Sequence, residues 1–473
     1  MLQKIFIQPL FIFIVLIIVL SGCRVGKEYQ RPELEMPPQF NGISFADTSS
    51  IADINWKSFF TDANLQQLIE KGISYNHDLL LAIKRIDISQ QQLKQSKMLM
   101  LPDFDFQVSS QVNNPSNHSL NGLSVNNFLG KKHVENYLAI ISLSWEVDVW
   151  GKIRRQKEAA LAQYLSTYEA AKAVQTQLIA NIAQGFFNLL MLDQQLGIAR
   201  RNLSLTDSFS LATRLLKDAG EATALAVQQA EARKLATALL VPQLEESIAL
   251  QENALQVLTG QLPGTIKRKI TILDISLPDA FTTGLPAAMV SRRPDVRANE
   301  MALQIANAQV GISQANMYPA LNITAGGGIE SFKSSNWFNL PGSLFGLVAG
   351  SIAQPIFRRR ELRTQFEVAK IERDQSVIQF RQSVLQAIGE VSDALVQVDK
   401  LKDQKQIADA QVDTLRHAVF NAQLLFKSDM ANYLEVITAQ SNSLEVELNL
   451  ATIRRRQLTA MVELYRSLGG GWK

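Results

Sequence analysis

Leu101-Pro-Asp-Phe-Asp-Phe-Gln-Val-Ser-Ser-Gln-Val112 and Tyr318-Pro-Ala-Leu-Asn-Ile-Thr-Ala-Gly-Gly-Gly-Ile329 are the two stretches on which the architecture turns. Each leaves a helix-patterned segment through a proline and at once alternates apolar with polar residues. Phe104, Phe106, Val108 and Val112 alternate in the first, Leu321, Ile323, Ala325 and Ile329 in the second. A period of two predicts a strand with one apolar face, and proline closes the helix before it. Alternation returns in Tyr137, Ala139, Ile141, Leu143, Trp145 and Val147, interleaved with Ser142, Ser144, Glu146 and Asp148. Strands are therefore expected over about 103–112 and 137–149, joined by a polar loop containing Asn113-Asn114-Pro115 and Asn121-Gly122, and again over about 320–331 and 344–356. Glycines blur the alternation of the fourth.

The flanks of the two hairpins match as well. Before the first, from near Asp62, Leu65, Leu68, Ile69, Ile73 and then Leu79, Leu80, Ile83, Ile86 and Leu93 recur at helical spacing. After it, Gly151 to about Lys217 is unbroken helix pattern without proline, which at 1.5 Å per residue gives a rod of about 100 Å. Asp218-Ala219-Gly220 ends it, and a return helix runs to Leu262-Pro263-Gly264, with a bend expected at Pro242. The second copy opens with a short apolar helix and Arg292-Arg293-Pro294-Asp295, where Pro294 suits a first helical turn and Asp295 its positive end. A long helix is expected from Arg359 to about Lys427, a turn at Ser428-Asp429-Met430-Ala431, and a return helix ending at Leu468-Gly-Gly-Gly471. Like elements recur at an offset of about 205 to 217 residues, Leu225 matching Leu434, so the chain is a tandem duplication. It divides into a leader, 1–22, an extended N-terminal tether, 23–54, and two repeats, 55–264 and 265–473, with hairpin tips at about 218–224 and 427–433.

Composition narrows the function. The 473 residues are 47% apolar and carry 47 Lys+Arg against 44 Asp+Glu, with a mean hydropathy of zero. That excludes a polytopic helical membrane protein and a dedicated nucleic-acid binder. Lys4 and the apolar run Leu10–Leu20, which is about half the length of a membrane span, lead to Leu20-Ser21-Gly22-Cys23. This resembles the lipobox of bacterial lipoproteins, whose cysteine, after cleavage, carries a diacylglycerol and an N-acyl chain. Cys23 is the only cysteine, so neither an intrachain disulfide nor a cysteine zinc site can form. Arg24 stands where an inner-membrane lipoprotein often has Asp, which favours the outer membrane by resemblance.

Four strands cannot close a transmembrane barrel, because lipid tolerates no open sheet edge and such barrels need eight or more strands. Two chains would make a narrow, side-chain-filled cylinder, and three would make twelve strands around a wider lumen. Small residues on the first long helix, Ala159, Ala160, Ala170, Ala171, Ala173 and Ala180, allow close lateral packing into a tube.

Catalysis finds no support. His77, His118, His133 and His417 are scattered without ligand spacing and read as solvated or packing residues. Gly326-Gly-Gly328 lies in strand context and reads as a bulged or closely packed strand, not a phosphate cradle. Met98 and Met100 are expected in the core, not on a soft metal. Neither an enzyme nor a metal or other cofactor is expected.

An ordered set of motifs carries a family resemblance: Ser144-Trp-Glu-Val-Asp-Val-Trp-Gly-Lys152, Arg292-Arg-Pro-Asp-Val-Arg297 followed by Ala306-Asn-Ala308 and Tyr318-Pro319, Gln354-Pro-Ile-Phe357, and Tyr433-Leu-Glu-Val-Ile-Thr-Ala-Gln440. Together they resemble the TolC-like outer-membrane efflux factors, in the lipoprotein branch of the CusC, OprM and NodT type. The resemblance implies a mainly α protein with four β-strands per chain. It would assemble as a homotrimer, with a twelve-stranded barrel in the outer membrane lipid standing on a periplasmic α-helical barrel. It also implies a periplasmic adaptor and an inner-membrane pump of the resistance-nodulation-division class as partners, exporting drugs, metal ions or other small toxic compounds; a duct for type I protein secretion is the alternative. The tips Gly220, Glu221, Ala222 and Asp429, Met430, Ala431 would contact the adaptor. The gate would fall on Leu434, Glu435 and Thr438, with Phe426 just before the turn and Ala226 and Gln229 at the matching places in the first repeat. Thr438 stands where the family often has Asp, and Ser441 where an Arg often follows. A Leu434 constriction with a Glu435 ring is thus expected in place of a salt-bridge lock; a solvated Glu435 is the plainer reading.

Overall fold

The computed structural model describes residues 25–34, 50–275 and 291–472. Cys23, the leader, most of the tether, and the short apolar helix expected before Arg292 lie outside these residues, apart from Ser291 and Arg292 themselves.

In chain order the elements are α1 (Trp56–Phe59), α2 (Ala63–Tyr75), α3 (His77–Met98), β1 (Asp103–Asn113), α4 (Leu120–Leu129), β2 (Val134–Val147), α5 (Lys152–Asp218) and α6 (Ala224–Leu258). The second half follows with α7 (Pro294–Ala315), β3 (Ala320–Ser331), β4 (Leu344–Ala353), α8 (Glu361–Lys427) and α9 (Tyr433–Ser467). Both long helices have 67 residues and both return helices have 35, which makes the duplication visible in the elements themselves. No helix among the described residues is long and apolar enough to cross a membrane.

Several boundaries differ from the sequence reading. The end of the tether is not extended, because Ser50 and Asn55 cap a 3-10 turn at Ile51–Asp53 and the short α1. The β1–β2 loop holds a ten-residue helix: Ser119 accepts the Gly122 N–H, and Gly130 closes the helix in the left-handed region. Gly122 is glycine for space, since a Cβ there would lie 2.1 Å from the Ser116 carbonyl oxygen. β4 stops at Ala353 and not at residue 356, just before Gln354-Pro355; proline has no N–H for a ladder. α6 ends at Leu258, short of Leu262, and runs through Pro242 as the single return helix expected. Met98 and Met100 are 58% and 38% exposed in the single chain, not packed in its core, because they sit at the frayed junction of α3 with β1.

The chain forms two compact units. One comprises residues up to Pro32, Asp87–Leu165 and Met301–Ile378, the other Glu33–Ile86, Ser166–Glu300 and Gln379–Lys473. In the first, a four-stranded antiparallel sheet runs β1-β2-β3-β4 with continuous registers, among them Phe104↔Leu143, Leu143↔Ala325 and Ala325↔Val348. Gly326 to Gly328 stay in register on both sides, so they are closely packed and not bulged. A Cβ on Gly328 would lie 2.0 Å from the Ala139 carbonyl oxygen. The described N-terminal segment is fastened to the same unit. Val25 N–H donates to the Trp150 carbonyl at 3.2 Å. The fully buried Arg155 donates to the Gly26 carbonyl at 3.0 Å and to Glu158 at 2.7 Å.

The second unit has the large core. Ile179, Ile182, Ala183, Phe186 and Leu189 of α5 are at most 2% exposed, and Gly72 lets α2 close onto Ile182. Tyr465 of α9 stacks on Phe59 at 4.1 Å and donates to the Ile54 carbonyl at 2.7 Å; burial pushes its phenol up to about 12. Asp295, expected at a helix N-terminus, also pairs with the buried Arg293 at 2.6 Å, and Arg293 reaches Glu390 at 2.9 Å. Burial alone would push the Asp295 carboxyl up, but the guanidinium outweighs it and holds the group below the ordinary carboxylate range.

Candidate functional site

Alternation and register sort the sheet into two faces. One carries Phe104, Phe106, Ile141, Leu143, Val348 and Ile352, several of them more than half exposed. The other carries Asp103, Asp105, Gln107, Ser142, Ser144 and Asn322 and, along all four strands, no lysine or arginine. An apolar face that none of the described residues covers needs an apolar surrounding. Aromatic pairs bracket it: Trp150 stacks on Tyr318 at 4.9 Å at one end, and Tyr137 meets Trp337 at 5.6 Å at the other. From Tyr137 to Val147 the strand rises through eleven residues, and ten steps of about 3.4 Å at a tilt of about 40° give roughly 26 Å, the height of a lipid-facing band.

The hairpin tips are built alike. α5 ends with Gly220 at φ +87° and Glu221 N–H bonded to the Leu216 carbonyl at 2.8 Å; α8 ends with Asp429 at φ +61° and Met430 N–H bonded to the Leu425 carbonyl at 2.9 Å. These are the same left-handed cap, with glycine in one repeat and aspartate in the other. Thr223 then accepts the Ala226 N–H at 3.2 Å, and Asn432 accepts the Leu434 and Glu435 N–H groups at 2.9 and 3.2 Å, starting the return helices. Gly220, Glu221, Asp429 and Met430 are exposed, Ala222 and Ala431 half-buried.

Leu434, Glu435 and Thr438 are all exposed on α9 and share a face by spacing, opposite the buried Val436 and Gln440. Phe426 does not join them: it is half-buried against Phe209 of α5 at 5.4 Å, in a cavity of about 610 Å³ with Leu205, Leu215 and Leu216. The two repeats are not equivalent here. Ala226 matches Glu435 in position yet is 1% exposed, while Gln229, matching Thr438, is exposed. A carboxylate at this level therefore comes from the second repeat alone. Phe209, the partner of Phe426, and the bridge Arg201–Glu447–Arg416 (3.8 and 2.8 Å) were not singled out by sequence reasoning. They lie far apart in the chain and follow no local motif. His133 lies 3.3 Å from Glu135, and His77, His118 and His417 are exposed. Among the described residues no group of three or more His, Cys, Asp or Glu could hold a metal.

A sheet with a lipid-matched face, carried with two repeats of long paired helices, defines one subunit of an outer-membrane channel. The outer membrane efflux protein family model matches residues 68–261 and 285–470, and the chain belongs to that family. It is 28% identical over 463 residues to the cation efflux system protein CusC of Escherichia coli O6:H1, covering 96% of this chain and 97% of that one. The toluene efflux pump outer membrane protein TtgC of Pseudomonas putida is also 28% identical, over 466 residues, covering 96% and 94%. The probable outer membrane lipoprotein SilC of Salmonella typhimurium is 27% identical over 464 residues, covering 96% and 97%. Among solved structures, the outer-membrane channel OprN superposes with a TM-score of 0.86 at 26% identity, over 95% of this chain and all of that one. A CusC structure superposes at 0.82 and 26%, with the same coverage. The protein is thus an outer-membrane channel of an efflux system, as the resemblance implied.

Proposed function

We propose that three copies of this chain close a twelve-stranded barrel and form the exit duct of a tripartite efflux system. The carrying observation is the sheet: four strands, one lipid-type face, one water-type face, and two free edges. Lipid forbids free edges, and twelve strands leave an open lumen. The 67-residue helices, about 100 Å long, continue the duct into the periplasm. There the exposed caps at Gly220-Glu221-Ala222 and Asp429-Met430-Ala431 receive an adaptor that links the duct to an inner-membrane pump of the resistance-nodulation-division class.

Leu434, Glu435 and Thr438 form the constriction, with a three-fold ring of Glu435 carboxylates favouring cations and Leu434 supplying apolar closure. Phe426 backs this level through Phe209 without facing the lumen. Cys23 carries the diacylglycerol and N-acyl chains that anchor the chain beside the barrel.

Relatives of equal similarity are named for cations and for toluene, so the cargo class is metal ions or small organic toxicants and the pump selects between them. Efflux, not type I protein secretion, is the reading these relatives support. Expression with its adaptor and pump, in a host lacking the native outer-membrane duct, should restore resistance to at least one such toxicant. Loss of that resistance on omitting the pump, and no secretion of a type I substrate, is the expected pattern. Secretion without toxicant resistance would overturn it.

A further inference from the structure

Arg358, Arg359 and Arg360 connect β4 to α8. All three are exposed, and no ion-pair partner of theirs appears among the described residues. Arg359 and Arg360 stand at φ +48° and +66°, where side chains are strained, and the residue of the first repeat that matches Arg360 is Gly151 at φ +81°. Arginine is thus kept where the backbone favours glycine. Ile356 and Phe357 beside them are 96% and 83% exposed.

At the opposite edge of the sheet, Asp103 and Asp105 open β1, exposed and likewise without an ion-pair partner. β1 and β4 are the two free edges. Because the order is β1-β2-β3-β4 with every pair antiparallel, β4 of one copy must run antiparallel to β1 of the next when a barrel closes. β1 has 11 residues and β4 has 10. Laid flush, Ala353 at the end of β4 would meet Asp103 at the start of β1; with β4 advanced two residues further, Ala353 lies beside Asp105 and Pro355 beside Asp103, and the arginines follow just beyond. Drawing β4 back from that register carries the charges apart.

We propose that Arg358–Arg360 and Asp103/Asp105 form an electrostatic clasp between neighbouring copies, fixing the register in which the shared barrel closes. This rests on the trimeric reading above. The partner is a second copy of this chain, chosen by opposite charge at the two ends of one prospective ladder, and the edge hydrogen bonds supply the bulk of the attachment.

The test is charge reversal and rescue in the full-length protein, with trimer content measured by mass in detergent at low salt. Asp103→Lys/Asp105→Lys and Arg358→Glu/Arg359→Glu/Arg360→Glu should each lower trimer association about tenfold to a hundredfold, since three interfaces each lose pairs worth a few-fold. The five substitutions combined should restore most of it, and raised salt should narrow the differences. Trimeric wild type with no rescue in the combined variant overturns the clasp. So does an arginine variant that keeps its trimer and loses only co-purified anionic phospholipid, which would assign the cluster to lipid headgroups. A monomeric wild type would instead remove the trimeric reading itself.

Discussion

Glu435 gains its meaning from where Asn432 puts it. The Asn432 side chain caps α9 by accepting the Leu434 and Glu435 N–H groups, so the carboxylate sits at the positive end of a helix and would be stabilised there whatever its function. What a helix terminus does not account for is the exposed Leu434 beside it, 54% accessible in the chain, or the burial of Ala226 at the matching site. In a three-fold assembly Leu434→Ala should raise the resting conductance of single channels. Glu435→Gln should shift the reversal potential in a salt gradient toward zero, because a ring of three carboxylates selects cations. Equal reversal potentials for wild type and Glu435→Gln would place that carboxylate on an ordinary solvated face. The family resemblance, carried over by position after the turn, is what points to these residues as a gate. The sequence could not show that Phe426 turns away onto Phe209, because that depends on a partner more than 200 positions earlier. Nor could it show the left-handed Asp429, since the usual glycine signal is absent there and only comparison with Gly220 reveals the shared cap.

At the scale of elements, the sheet depends on close backbone approach as much as on side-chain pattern. Gly328 lies against the Ala139 carbonyl at a distance no Cβ can occupy, so Gly328→Val should break the β2–β3 ladder locally. The expected result is a loss of folded, membrane-inserted protein at 37 °C, with the strongest effect on hydrogen exchange of the β2 and β3 amides. Gly350→Ala is the control: no atom lies within 4 Å of a Cβ built there, and it should insert as wild type does. If Gly328→Val inserted as well as the control, the close packing would not govern the sheet.

Strand identity was readable because Phe104, Phe106, Ile141 and Leu143 alternate cleanly. The fourth strand was harder, as Gly346 and Gly350 occupy its apolar face and leave no side chain to mark the period. α4 was missed for a different reason. Its Asn121-Gly122 and Ser-rich surroundings carry turn chemistry, and the cap signals of Ser119 and Gly130 are short-range cues that a polar loop can also contain. The long helices were legible throughout, since each runs 67 residues without a proline.

For the whole molecule, duplication and assembly are linked. One hairpin has two strands and one long helix pair; doubling it gives four strands and two pairs, still too few to close either a barrel or a helical tube. The apolar sheet face and the free edges of β1 and β4 are therefore features of an incomplete object, and the charges at those edges are placed to complete it. Family membership and the likeness to OprN and CusC agree with a channel. The central claim is that the channel belongs to the assembly and not to the chain. The most direct measurement is the mass of the detergent-extracted, full-length protein in the same preparation used for planar-bilayer recording. The account predicts three chains per particle and discrete conductance steps carried by that particle alone. A stable monomer, or a trimer that never conducts even with Leu434→Ala, would contradict it.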